Sequence, residues 1–146
     1  MQRYWISLGA ILAALAVGLG AFGAHGLDSF LTERHASDPE LLVRRLDNWR
    51  TAALYQMHHS VGLIMVGLVF LIRSNVWMKV AGFCFLVGIV LFSGLLYCLV
   101  LTEVRWLGAI VPIGGVAFIA GWIALAIGSC CITPPSTAQN IGRDLR

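Results

Sequence analysis

Four long apolar runs, parted by short polar breaks, set the rhythm of the chain. Tyr4 to Ala24 is 21 residues without a charge, and the run from Arg50 to Ile72 is bracketed by Arg50 and Arg73. Trp77 to Leu101 carries only Lys79, near its start, and Leu107 to Cys131 carries no charge at all. A bilayer core about 30 Å thick is crossed by roughly 20 helical residues. The pattern therefore predicts membrane helices over 4–24, 50–72, 77–101 and 107–131, an all-α bundle of four transmembrane helices. Pro112 and the many glycines do not oppose this, because neighbouring helices re-satisfy backbone groups freed inside a bundle. Ahead of the second run, "SDPELL" offers Asp38 as a helix N-cap, Pro39 in the first turn and Glu40 beside the positive end of the dipole. Leu42, Leu46, Trp49 and Ala53 then share one helical face, with Arg44, Arg45 and Asp47 off it. That spacing predicts an amphipathic interfacial helix over 39–49 that leads into the second span, with Trp49 and Arg50 as interface anchors. Residues 1–131 form one membrane domain. The aperiodic, proline-bearing tail over 132–146 is expected to be flexible.

Composition agrees with the pattern. The chain is 59% hydrophobic and 12% charged, against about 45–50% apolar and about 25% charged in soluble domains. The first run is longer than the apolar core of a cleaved signal, and only Arg3 precedes it, so it is expected to stay as a helix. The net charge of +3 is spread out, and no basic run interleaved with aromatics points to nucleic acid. The partners implied are the lipid bilayer and, beyond it, other membrane proteins or further copies of the chain. Arginine and lysine divide five against five between the two sides, which leaves the positive-inside rule tied. Acidic residues fall six to one on the side of the 25–49 connection. The expected location is the cell (inner) membrane, with both termini cytoplasmic.

Apolar burial cannot drive helices together in lipid, so close packing of small residues and a few hydrogen bonds must. The first span carries Gly9, Ala13, Ala16, Gly20 and Gly23; the fourth carries Gly114, Ala117, Gly121, Ala124 and Gly128. Both sets alternate steps of three and four, a seam that lets backbones approach at a shallow crossing. The two seams are expected to face inward, against one another or against the second and third helices.

Polar groups inside the spans are few. Gln56 and His59 are three apart and Tyr55 and His59 four apart, so they share a face. At 1.5 Å per residue His59 lies about 14 Å below Arg50, near mid-bilayer. Ser93 and Tyr97, with Gly94 between them, repeat the spacing in the third span. These residues could meet inside the bundle, while His25 closes the first span near the interface. Intramembrane polar groups usually face the interior and pair there. The favoured reading is hydrogen bonding that fixes register; the other is a proton or ligand role for His59. Haem would need two axial histidines at one depth, and His25 and His59 differ in depth. Cys84, Cys98, Cys130 and Cys131 match no metal spacing with histidine. Acylation of Cys130 or Cys131 at the helix end is conceivable, and plain packing is the simpler reading. No acid pair lies in a span and no glycine-rich phosphate loop is present. The chain is thus expected to be no enzyme and to need no cofactor or metal.

Four segments carry a resemblance: "GAFGAHGL" at 20–27, "WRTAALYQMHH" at 49–59, "LFSGLLYCLVL" at 91–101 and "PIGGVAFIAGW" at 112–122. Together, in this order, they resemble the YgdD-like small membrane proteins, a family of unknown function that includes the transmembrane protein 256 of animals. The resemblance covers all four spans. It implies a four-helix integral membrane protein with no assigned activity, and points to Gly23, His25, Tyr55, Gln56, His59, Ser93, Gly94, Tyr97, Pro112, Gly114, Gly115, Gly121 and Trp122. His59, not His58, fits the family's histidine; His58 stands where an aromatic is common. Val111 stands where the family often has threonine, and the basic cluster some relatives carry after the last helix is missing. The expected function is a structural or accessory part of a membrane complex. The alternative is a proton or small-solute conduit using His59, Gln56 and Tyr97.

Overall fold

The computed structural model describes residues 2–35, 38–72 and 75–130. Arg73, Cys131 and the tail over 132–146, with the expectations placed on them, lie outside the described residues. Helix α1 runs Gln2–His25, α2 Leu27–His35, α3 Pro39–Ile72, α4 Val76–Gly88, α5 Leu95–Thr102 and α6 Leu107–Cys130. A π-helical segment, Ile89–Gly94, joins α4 to α5 without a break. Among the described residues there is no strand, and four stretches are long and apolar enough to cross a membrane: Tyr4–His25, Pro39–Ile72, Val76–Thr102 and Leu107–Cys130.

The predicted interfacial helix and second span are one unbroken helix of 34 residues. Asp38 opens it, its Oδ1 accepting the Leu41 N–H at 3.0 Å. The lead-in's apolar face is covered by protein. Trp49 packs with Leu27 and Leu31 of α2 and Val100 of α5, with Leu42 and Leu46 alongside. Helix α2 lies in a connection where the sequence pattern marks only the Asp38 start. It supplies Leu27 and Leu31, both fully buried, as the lid on that face.

Asn75 starts α4 and does two jobs. Its Oδ1 caps the helix by accepting the Met78 N–H, and its Nδ2 donates to the Gly128 carbonyl near the end of α6, each at 3.0 Å. At the far end Glu103 turns the chain in the left-handed region, φ 62°, and its N–H donates to the Leu99 carbonyl. The α5–α6 turn is thereby closed by a backbone hydrogen bond.

The two small-residue seams do not face one another. The first lies along α3: a Cβ added at Gly9 would stand 2.7 Å from the Ser60 carbonyl oxygen, and Gly23 abuts Trp49. Ala16 is buried and Ala13 partly so. The second lies along the third crossing. Gly114 meets the backbone of Leu91 and Phe92 in the π segment, Gly121 meets the Phe85 ring, and Gly128 meets Met78 and Asn75. Ala124 is buried and Ala117 partly so. The result is two tight helix pairs, α1 with α3 and α4 with α6. They close on a shared core that includes Trp5, Leu63, Phe70, Phe85, Phe118 and Leu125. Outward faces stay apolar, with Ile72 76% and Val116 65% exposed, as a lipid-facing surface requires.

Glycine matters most where the neighbour is backbone. Gly114→Ala puts its methyl 2.5 Å from the Phe92 amide nitrogen, and that atom cannot swing aside. An overpacking loss of about 1–3 kcal/mol is expected, read as a lower unfolding midpoint of the detergent-solubilised protein. Gly20→Ala, whose nearest new neighbour is Ala53 Cβ at 3.9 Å, should leave that midpoint unchanged or raise it.

Candidate functional site

Helix α3 packs against α1 and against the α4–α6 pair, and its polar side chains divide between them. Successive residues turn about 100°, so positions three apart differ by about 60° around the axis. That offset sends Gln56 and His59 to different neighbours. Gln56 Nε2 donates to the Leu12 carbonyl of α1 at 2.9 Å. His59 turns to α6 and stacks on Phe118, ring centroids 3.4 Å apart and planes at 9°. Its Nδ1 lies 2.7 Å from the Tyr55 carbonyl oxygen. A carbonyl can only accept, so Nδ1 holds the proton, and Nε2 of the neutral ring is the lone-pair nitrogen.

Ser93 and Tyr97 do not join this arrangement. The cluster of Gln56, His59, Ser93 and Tyr97 expected from helical spacing is therefore corrected: the four do not form one network. Ser93 is fully buried, and neither its Oγ nor the Tyr97 hydroxyl has a hydrogen-bond partner among the described residues. Ser60 shows the usual solution, its Oγ donating to the Gln56 carbonyl four residues back at 2.6 Å. Ser93 sits inside the π segment, whose wider winding carries the carbonyl four residues back out of that position. Tyr97 instead packs its ring against Trp49, centroids 4.6 Å apart. His25 is exposed at the end of α1 and takes no part in the contacts around His59.

Aromatic rings dominate the layer around His59. Tyr55 stacks on Phe92 at 4.6 Å, and Phe85 meets Trp122 edge-on at 4.9 Å. Beside them opens a cleft of about 400 Å³, lined by Tyr55, His59, Phe92, Pro112, Gly115 and Trp122 among others. Gly115 leaves it room, since the nearest side-chain atoms to a Cβ there would be 4.0 Å away, on Phe92. Pro112 lacks the N–H that would close on the carbonyl four residues earlier, a local weakening of α6 at the cleft. Gly94 is partly buried, and a Cβ there would meet nothing nearer than the Ile89 carbonyl oxygen at 3.8 Å. Chemically the cleft is lined by π faces, with the His59 imidazole and the Tyr55 ring as its polar-bearing residues. Among the described residues no group of three His, Cys, Asp or Glu side chains is placed to hold a metal ion.

Three ties escape the sequence reading. Trp49 Nε1 donates to the Leu19 carbonyl of α1 at 2.8 Å. Arg45, placed by spacing off the apolar face, is 6% exposed and donates from Nη1 to the Leu99 carbonyl at 2.8 Å. The third is the Asn75 donation to the Gly128 carbonyl, and an asparagine directly before an apolar run is the capping signal that could have found that residue. Arg45 carries no such signal, because nothing in its own helix reveals that α5 ends against it.

Comparison with known proteins gives a consistent picture. The family model described as "Protein of unknown function (DUF423)" matches residues 19–115. A UPF0382 membrane protein of Staphylococcus epidermidis is 46% identical over 128 residues, covering 88% of this chain and 96% of that protein. The UPF0382 membrane protein of Staphylococcus saprophyticus is 44% identical, covering 88% of this chain and 98% of that one. The UPF0382 membrane protein YwdK of Bacillus subtilis is 43% identical over 129 residues, 88% of this chain and 97% of YwdK. No solved structure matches.

The Gln56 tie and the unpartnered Ser93 predict effects of opposite sign. Gln56→Leu removes a bond between helices, typically worth about 0.6–1.7 kcal/mol in a membrane bundle. Leu12 keeps its own helical hydrogen bond, so no orphan is left. Ser93→Ala removes a buried hydroxyl that bonds to nothing described, and should be neutral or stabilising. Unfolding midpoints of the two variants in the same detergent, compared with wild type, read out both signs.

Proposed function

The chain belongs to the family described as "Protein of unknown function (DUF423)", with the UPF0382 membrane proteins as relatives, and from that premise we propose that this multi-pass membrane protein is a structural or accessory component of a membrane complex, neither a transporter nor an enzyme. The observation that carries this reading is where the interior polar side chains go. Gln56, Trp49, Arg45 and Asn75 each donate to a main-chain carbonyl of another helix. Groups used in this way hold helices in register; they do not line a wet path. A conduit through His59, Gln56 and Tyr97 needs one continuous polar route, and these three face different neighbours. The four motifs quoted from the sequence support kinship with the YgdD-like and animal transmembrane protein 256 proteins.

The natural place for such a protein is the cell membrane. Both termini lie on the cytoplasmic side in this reading; the gathering of acidic residues on the opposite side, including Asp28, Asp38, Glu40 and Glu103, gives it modest support, since acidic residues weigh little in orientation. A reporter that is active only in the cytoplasm, fused after Arg146, should be active.

Reconstitution decides between component and conduit. Liposomes containing wild-type protein should pass protons at the rate of empty liposomes, and His59→Ala should match them. A flux above the empty control that vanishes in His59→Ala overturns the proposal. In native membranes, mild solubilisation should release the chain with a partner at constant stoichiometry.

A further inference from the structure

Arg45 belongs to a second constellation, distinct from the His59 layer. Arg44, Arg45 and Asn48 of α3, Leu99 of α5 and Arg105 of the following turn line a cavity of about 300 Å³. Arg45 is 6% exposed. Its Nη1 is spent on the Leu99 carbonyl, which also accepts the Glu103 N–H. Its Nε is buried with no acceptor among the described residues. Arg44 and Arg105 are exposed and near enough that their charges repel that of Arg45, while Glu103 attracts it. Three guanidinium groups and no carboxylate are among the residues lining the cavity, with Glu103 acting on Arg45 from outside that lining, which leaves a positive surplus at the cavity.

Position gives that surplus a meaning. The stretch Glu103–Trp106 joins two helices that each cross the bilayer, so it emerges at headgroup depth. Trp106, 64% exposed, is the residue type that sits at that boundary. Guanidinium groups bind phosphate oxygens through paired N–H donors, and the phosphates of anionic headgroups lie at this depth in either leaflet. We propose that this cavity binds the phosphodiester headgroup of an anionic phospholipid. The phosphate lies among Arg44, Arg45 and Arg105, with the exposed Arg44 and Arg105 guanidinium groups as its donors and the Asn48 amide available to a headgroup hydroxyl. A zwitterionic choline headgroup brings its own cation to the same place and is disfavoured. Inorganic phosphate shares the anionic chemistry and lacks the acyl chains that hold a lipid at this depth.

The test titrates purified full-length protein, in neutral detergent micelles, with phosphatidylglycerol, phosphatidylcholine or sodium phosphate, reading the shift in unfolding midpoint. Phosphatidylglycerol should raise the midpoint and phosphatidylcholine should not. Arg44→Gln and Arg105→Gln should each weaken the apparent affinity roughly fivefold, the effect of one arginine near an anionic surface, and the double variant about twenty-five-fold. Arg45→Gln also loses the tie to Leu99, so the two exposed arginines carry the test. Arg50→Gln, an exposed arginine outside the cavity, should bind as wild type does. Equal response to both lipids overturns the proposal, as does a double variant that binds like wild type or an Arg50→Gln loss as large as that of Arg44→Gln. Sodium phosphate matching phosphatidylglycerol at equal phosphate concentration makes the occupant a soluble anion and overturns the lipid assignment.

Discussion

Backbone-to-backbone approach at a few glycines is the constraint from which the bundle follows. Lipid offers a helix as much apolar contact as another helix does, so association needs surfaces that fit more closely than acyl chains can. Gly9 against the Ser60 carbonyl and Gly114 against the Phe92 amide bring main chains to distances no side chain would allow. These two contacts join α1 to α3 and α6 to the third crossing. Large rings such as Phe85 and Phe118 then fill the space between the pairs. The order matters: without the glycine contacts the aromatic layer would have no fixed frame.

Hydrogen bonds act on top of that frame as registration. The ties of Gln56 to Leu12 and of Trp49 to Leu19 each use a side-chain donor and a carbonyl in the middle of α1 that already serves its own helix. Sharing a carbonyl this way adds a directional contact without opening the helical ladder. It also means that the donor, not the acceptor, sets the geometry. The arrangement suits a protein that holds one conformation. Among the described residues, Gln56, His59 and Tyr97 do not form one hydrogen-bonded chain.

The π segment sets where the neighbouring rings and backbone point. By changing the winding for six residues, it turns Phe92 towards Tyr55 while presenting its backbone to Gly114. It also leaves the Ser93 hydroxyl without the acceptor that Ser60 enjoys. Pro112 sits across from it in α6, where the helical ladder lacks a donor. Two irregular turns therefore border the cleft beside His59. Irregular helix turns of this kind are common where helices make room for something.

Much of the architecture was written in one dimension. Span count, helical class, the Asp38 start and the small-residue seams all depend on local periodicity and on the length needed to cross a bilayer, which a single chain displays directly. The partner of each seam was not legible, because a stripe of glycine and alanine says that something approaches, not what. The fate of the polar residues was decided in three dimensions for the same reason. Spacing placed Gln56 and His59 on roughly one face, yet a helix packed against more than one neighbour separates residues only about 60° apart. Arg45 reads as lying off the apolar face of its own helix and is buried only because α5 ends against it. Periodicity describes the surface of one helix; which surface meets which is set by how all the helices close together.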